Sequence, residues 1–263
     1  MKDAPQRLDA LLVERGLAET RSRAQGLILA GSVRVGDRVI TKSGFRVPPG
    51  EPLAVDREEG FVSRAGDKLD GALDELGVEV EGRAAIDAGA STGGFTDVLL
   101  RRGAQKVLAV DVGYGQLDWS LRNDERVVVM ERTNVRYLGG EDLPFAPDLL
   151  VADLSFISLT VAFEKLFSTT PSLREAVLLV KPQFEAGPEQ VGRGGLVRDT
   201  GVHAAVILRV AEFFEGLGFG AVGVARAAIA GRRAGNREYP LHLVRGARTT
   251  LGEAGIWGVV RDG

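Results

Sequence analysis

The chain has 263 residues, 44% apolar, 26% charged and 6% aromatic, which is enough to bury a full core in one large domain beside a smaller one. It has no cysteine and only two histidines, His203 and His242. That excludes disulfides, thiolate metal sites and cysteine nucleophiles, and leaves no basis for a histidine-built metal centre or triad. The net charge of −3 is uneven, because residues 1–57 hold ten basic and seven acidic side chains and the remainder carries −6. A basic module attached to an acidic one is the charge pattern of a nucleic-acid contact at the small end, against the alternative of ordinary scatter. The amino terminus has no apolar export core and no run approaches the ~20 apolar residues of a spanning helix, so a cytoplasmic protein with no membrane association is expected.

In chain order, Leu8, Leu11, Leu12 and Arg15 fall at helical spacing and Gly16 stops the helix. Thr20 caps a second helix, Arg21 to Ala30, whose Ala24, Leu27 and Ile28 form the apolar stripe. Ser32 to Val35, the Gly36-Asp37 turn and Val39-Ile40 read as a hairpin. Arg21, Arg23, Arg34, Arg38, Lys42 and Arg46 lie off the apolar stripe, where each can neutralise a phosphate or simply face water. The order Arg7-Leu-Asp, Gly16-Leu, Thr20-Arg-Ser-Arg-Ala24, Leu27-Ile28, Gly31 and Val33-Arg-Val35 resembles the αL RNA-binding domain of a ribosomal protein, pseudouridine synthases and tyrosyl-tRNA synthetases. The resemblance implies an RNA contact through Arg7, Arg21, Arg23, Arg34 and Lys42.

The turn-rich Val47-Pro-Pro-Gly-Glu-Pro52 and the charged Asp56 to Gly60 place a domain boundary near Arg57 to Phe61. An amphipathic run, Asp67 to Leu76, follows Ser63. Beyond it, Ala84–Asp87, Lys106–Asp111, Val127–Glu131, Leu149–Asp153 and Ala176–Lys181 read as strands, and Phe95–Arg102, Leu159–Phe167 and His203–Leu217 as helices. That alternation predicts an α/β fold with a doubly wound, mostly parallel sheet, completed by Ala221–Val224 and Tyr239–Val244. Glu185 to Asp199, rich in glycine, is expected to be a long mobile loop over the substrate side, and Leu251, Ile256, Trp257 and Val260 to pack as a terminal helix. His203 and His242 are read as structural.

After the first of these strands comes Asp87-Ala-Gly-Ala-Ser-Thr-Gly-Gly94. A dinucleotide fingerprint requires glycine where Ser91 stands, which disfavours a dehydrogenase. The loop suits S-adenosylmethionine instead, with Asp87 near the ammonium, loop amides and the helix start on the carboxylate, and Asp111 on the ribose diol. Four charged residues, Lys68, Asp153, Lys181 and Glu238, stand at element ends around this loop. Singly, each is an ordinary surface or salt-bridge residue. In this order they resemble the Lys-Asp-Lys-Glu tetrad of FtsJ-type and cap RNA ribose 2′-O-methyltransferases.

Phe61 to Leu69, Asp87 to Asp97, Asp111 to Gln116, Glu131 to Arg136, Asp153 to Ser158, Lys181 to Gly187, Gly192 to Asp199 and Gly235 to Tyr239 together resemble the TlyA family, from Arg7 to about Arg245. One departure is Ala65, where many members have glycine; Arg64 and Lys68 stay in place beside it. The resemblance implies a Rossmann-like class I methyltransferase domain (63–263), a linker (58–62) and a small α+β RNA-binding domain (1–57). It implies S-adenosylmethionine as cofactor, ribosomal RNA within ribosomal subunits as partner, and 2′-O-methylation of cytidine in 23S and, in some members, 16S RNA. Family members with longer termini act on both subunits, so the tail from Gly246 to Gly263 extends the expectation to both. Also implied are Gly89, Ser91, Thr92, Gly93, Gly94, Phe95, Val112, Gly113, Gln116 and Asn134 in the donor pocket, and Arg64 and Arg136 on RNA.

A ribose hydroxyl is a poor nucleophile and the donor sulfonium is already activated, so the chemistry needs alignment and deprotonation, with no metal required. Lys181 is the candidate base, or alternatively the stabiliser of a developing alkoxide. Lys68 opposes it by like charge, and Asp153 and Glu238 orient the two ammonium groups. Two rival readings are a catalytically silent RNA-binding assembly factor, countered by the intact tetrad, and a membrane-active haemolysin, a name some family members have carried, countered by the absence of an apolar export or spanning segment.

Overall fold

In the computed structural model, which describes residues 5–55, 60–227 and 236–261, the chain divides into Met1–Gly60 with Asp118–Asp124, and Phe61–Leu117 with Glu125–Gly263. The linker expected at 58–62 and the motif starting at Gly235 lie partly outside the described residues. The first unit runs β1 (Gln6–Arg7), α1 (Leu8–Glu14), α2 (Arg21–Leu29), β2 (Val33–Val35), β3 (Arg38–Val39), β4 (Arg46–Val47) and β5 (Leu53–Val55). Leu8, Leu11 and Leu12 are the buried face of α1, and Ala24 and Ile28 that of α2. They pack on Val33 and Val47 in one small core. Thr20 caps α2 as expected, its Oγ1 accepting from the Arg23 amide at 3.2 Å. The hairpin β2–β3 also forms, and β5 adds to the other edge of β2, while β1 pairs with β4.

The second unit opens with α3 (Ala65–Leu76), β6 (Ala84–Ala88), α4 (Gly94–Arg101) and β7 (Lys106–Val110). Next in the chain is α5 (Trp119–Arg122), which falls in the first unit, and the second unit resumes with β8 (Val127–Met130), β9 (Leu149–Ala152), α6 (Leu159–Thr169), β10 (Glu175–Val180), α7 (Pro182–Glu185), α8 (Thr200–Gly216), β11 (Phe219–Val224), β12 (Tyr239–Arg245) and α9 (Glu253–Arg261). The strands form one sheet in the order β11-β12-β10-β9-β6-β7-β8. The five from β10 to β8 are parallel, and β12 runs antiparallel to both its neighbours. Covered on both faces, β9 and most of β6, β7 and β10 are buried, which is why they read as continuous apolar runs. The core on the α6 and α8 side includes Phe163, Phe167, Phe214 and Phe219, with Phe167 centred 4.5 Å from Phe214 and 4.6 Å from Phe219.

Strand order reverses between β6 and β9, and in open α/β sheets a crevice forms at that switch, beyond the carboxyl ends of the strands. Because β12 is antiparallel, its first residue, Tyr239, pairs with Val180 at the end of β10. The start of β12 therefore lies on the same sheet edge as the ends of β6, β9 and β10. The expected terminal helix is α9, with Ile256 and Val260 buried.

Candidate active site

Each member of the tetrad is delivered to that edge by a different element. Asp153 follows β9, Lys181 follows β10, Glu238 precedes β12, and Lys68 projects from the first turns of α3. All four line one cleft of about 470 Å³ together with Gly89, Ser91, Thr92, Gly94 and Phe95 of the glycine loop and with Arg64. The charges resolve into two pairs. Lys68 Nζ donates to Glu238 Oε2 at 2.5 Å, and Lys181 Nζ lies 2.5 Å from Asp153 Oδ1, an ion pair by distance though not aligned as a hydrogen bond. Lys181 Nζ also donates to Ser155 Oγ at 3.2 Å. Side chains this buried are costly as lone ions, and pairing each lysine with a carboxylate is what allows both in one cleft.

The glycine loop approaches its neighbours too closely for side chains. A Cβ at Gly89, where φ is +86°, would lie 2.8 Å from the Asp153 carbonyl oxygen, so glycine is required both for the turn and for the contact with β9. Gly93 stands at the N-cap of α4, and no side chain caps that helix. A helix start without a side-chain cap, opening on a glycine-lined cleft, is an anion site of the kind a methionine carboxylate needs. The residues therefore fit S-adenosylmethionine, with Ser91 and Thr92 as further polar lining.

Asp87, expected near the donor ammonium, is fully buried beneath the loop and is not among the residues that line the cleft. Its Oδ2 accepts from Thr96 Oγ1 at 2.6 Å, and Oδ1 has no hydrogen-bond partner. Burial pushes this carboxyl up to about 7, against the pull of the Thr96 hydroxyl and amide. Asp111 is likewise used within the chain, accepting from the amides of Ser91 at 2.8 Å and Gly113 at 2.6 Å. That first bond holds Ser91 at φ +48°. Ser91 Oγ reaches Gln116 Oε1 at 3.4 Å, and Asn134 Oδ1 caps its own turn by accepting from the Arg136 amide at 3.0 Å. Gly93, Asp111, Val112, Gly113, Gln116 and Asn134 are thus outside the cleft lining, along the loops after β6, β7 and β8.

Several lining residues were not foreseen: Ser63, Ser155, Phe156, Gln183, Phe184 and Asn236. Phe156 is 86% exposed and sits at φ +66°, its ring 5.1 Å from that of Phe184. Among the described residues the non-glycine positions with positive φ are Ser91, Arg132 and Phe156, each in a loop after a parallel strand, where backbone strain gathers at functional edges. The segment Glu185 to Asp199 is more ordered than a plain connection. Glu185 is buried, accepting from Ser158 Oγ at 2.6 Å and the Leu159 amide at 2.7 Å, and Gly192 bridges Leu196. Burial raises the Glu185 carboxyl above the ordinary range, against those two bonds.

In the first unit, Arg23, Arg34 and Lys42 are exposed, as is Arg136 in the second. Arg7 and Arg21 are partly committed. Asp9, completely buried, accepts from Arg7 Nε and Nη2 at 3.0 Å, from Arg21 Nη2 at 3.1 Å and from Gln25 at 2.9 Å. The Arg7 hydrogen bonds hold the Asp9 carboxyl well below the usual range, despite burial. Both histidines bond within the chain: His242 bonds Glu175 at 2.6 Å, and His203 bonds Tyr239 and Val197.

Residues 61–245 match the FtsJ-like methyltransferase family model and residues 6–53 the S4 domain model. A Mycobacterium tuberculosis protein named 16S/23S rRNA (cytidine-2′-O)-methyltransferase TlyA is 50% identical over 90% of this chain and 89% of its own. A Brachyspira hyodysenteriae protein named Hemolysin A is 39% identical over 90% of this chain and 99% of its own. A solved structure from Streptococcus thermophilus, also bearing a hemolysin name, superposes with a TM-score of 0.72 at 39% identity, covering 98% of this chain and 95% of that one. Among the described residues no helix is long and apolar enough to cross a membrane. With a tetrad at the switch-point edge, a glycine loop beside it and both family models matched in order, the chain belongs to the TlyA family of FtsJ-like rRNA 2′-O-methyltransferases.

Proposed function

We propose that this chain transfers the methyl group of S-adenosylmethionine to the ribose 2′-hydroxyl of cytidine in ribosomal RNA. The observation that carries the reading is the pair of lysine–carboxylate contacts, Lys68–Glu238 and Lys181–Asp153, each with one buried and one half-buried partner, lining the same cleft as the start of α4, which has no side-chain cap. The donor supplies an activated methyl on a sulfonium. The protein's part is to aim a hydroxyl at it and to take the proton. Lys181 would release its own proton to solvent before transfer, so that neutral Nζ could take the hydroxyl proton as the O–CH₃ bond forms and the S–CH₃ bond breaks, and Asp153 would offset the charge that the lysine regains. Glu238 fixes Lys68 in the cleft wall, where its positive charge faces the developing alkoxide. The S4-like first unit supplies the RNA contact through Arg7, Arg21, Arg23, Arg34 and Lys42, and Arg64 and Arg136 extend it. The substrate is RNA within assembled ribosomal subunits, 23S and also 16S.

Lys181→Ala tests the assignment. It should abolish methyl transfer while calorimetric donor affinity stays within about twofold, because the lysine acts on the hydroxyl and not on the donor. Donor binding also reports that the variant is folded. A near-normal single-turnover rate would remove Lys181 from the mechanism.

A further inference from the structure

Three residues outside the tetrad join the two segments that flank Glu238. His203, on the first turn of α8, is buried, with Nδ1 2.7 Å from Tyr239 Oη and Nε2 2.9 Å from the Val197 carbonyl. A carbonyl only accepts, so Nε2 carries the proton, and Nδ1 accepts from the Tyr239 hydroxyl. Burial lowers the proton affinity of His203 below the ordinary histidine value, in keeping with this neutral tautomer. Tyr239, also fully buried, is the residue after Glu238 and the first of β12. Val197 ends the glycine-rich segment whose Gly195 lines the cleft. The Gly195 carbonyl in turn accepts from Asn236 Nδ2 at 3.0 Å, two residues before Glu238.

We infer that His203 is a positioning residue for methyl transfer: its imidazole locks the start of β12, which carries Glu238, to the Val197 segment, and so fixes the Lys68–Glu238 pair in the cleft. It touches neither the hydroxyl nor the donor. The reason is geometric. Glu238 precedes the regular ladder of β12; its carbonyl accepts from the Ala227 amide at 3.0 Å, and the residues on either side of it are tied to the Gly195 to Val197 segment by two further links. On one side stands Asn236 to Gly195, and on the other Tyr239 to His203 to Val197. Loosening the second lets the carboxylate swing and Lys68 lose its 2.5 Å partner.

The inference rests on the methyl-transfer reading, and its test separates the two. Single-turnover transfer to ribosomal subunits, calorimetric donor affinity and amide exchange across Gly192 to Leu196 are measured for wild type, His203→Gln, His203→Leu and Tyr239→Phe. Glutamine offers one donor and one acceptor in place of Nε2–H and Nδ1, so His203→Gln should stay within about threefold of the wild-type rate. Loss of two buried hydrogen bonds at about a factor of ten each predicts a rate loss of ~10- to 100-fold for His203→Leu, with donor affinity held within about twofold. Tyr239→Phe, which keeps the ring and removes the hydroxyl that bonds both His203 and the Arg237 side chain, should lose about tenfold. Exchange at Gly192 to Leu196 should rise in His203→Leu and not in His203→Gln. A wild-type rate in both His203→Leu and Tyr239→Phe would overturn the inference. So would a loss confined to donor affinity, or unchanged exchange in His203→Leu. A wild-type chain that transfers no methyl would instead defeat the methyl-transfer reading, and the exchange measurement would still decide whether His203 holds the segment.

Discussion

At the scale of single residues, Asp87 is a position where burial acts directly on a charge. A carboxylate at the end of β6 reads as an ammonium partner, and here it is sealed under the loop with Thr96 as its hydrogen-bond donor. Its folded pKa of about 7 lies above the ordinary carboxylate value, so between about pH 4 and about pH 7 the native state binds the extra proton. The stability this group contributes is therefore complete below about pH 4 and is lost as pH rises through about 7. Asparagine keeps an acceptor for the Thr96 hydroxyl and removes the charge. Asp87→Asn should accordingly gain thermal stability relative to wild type as pH rises from about 5 to about 8, read from melting temperatures at both values. An equal difference at the two pH values would show that the carboxyl is not proton-bound in the folded chain.

At the scale of elements, the site depends on how closely α3 and α4 meet at their starts. A Cβ at Gly94 would lie 2.3 Å from Ser63 Oγ and 2.9 Å from the Gly66 amide nitrogen. The hydroxyl can turn away, but the backbone of α3 cannot. Gly94→Ala should then displace the start of α3, the helix that carries Lys68, and cost about 1–3 kcal/mol of stability by overpacking. Methyl transfer should fall along with the melting temperature, and an alanine variant with wild-type values of both would show that α3 adjusts freely. The sequence made α3 legible from Asp67 onward, because its apolar residues repeat at helical spacing, but its first two residues, Ala65-Gly66, add no large apolar side chain to that repeat. The parallel strands were legible for a different reason, being short runs that are almost wholly apolar, with β9 and most of β6, β7 and β10 buried. In the first unit, β1, β4 and β5 span two or three residues each, too short for any period to show. Contacts between distant positions left no signal either. Glu185 caps α6 from 26 residues away, and His203 meets Tyr239 from 36 residues away. The tetrad was found through its order along the chain, whereas its division into two pairs follows from the antiparallel β12, which sets Glu238 beside the end of β10.

At the scale of the whole molecule, the charge asymmetry meets the S4 match. On the proposed reading, a chain that is acidic overall meets RNA through the basic side chains of residues 1–57, whose charge favours phosphate. The arginines of that region are not equivalent. Arg7 and Arg21 both pair with the buried Asp9, so removing either takes a donor and countercharge from that carboxylate and lowers the stability of the first unit as well as its RNA affinity. Arg23 and Lys42 are exposed and lack that second task, which makes them the clean probes. Arg23→Ala and Lys42→Ala should each reduce the log–log salt slope of binding to ribosomal subunits by about 0.7 to 0.9, the release of one phosphate contact, with melting temperature and donor affinity unchanged. Because double-stranded and folded RNA is recognised by shape and backbone, a short single strand carrying the target cytidine should be a poor substrate beside intact subunits. Unaltered salt slopes in both variants, or equal methylation of the short strand and the subunit, would take RNA docking away from the first unit and leave its basic face to solvent.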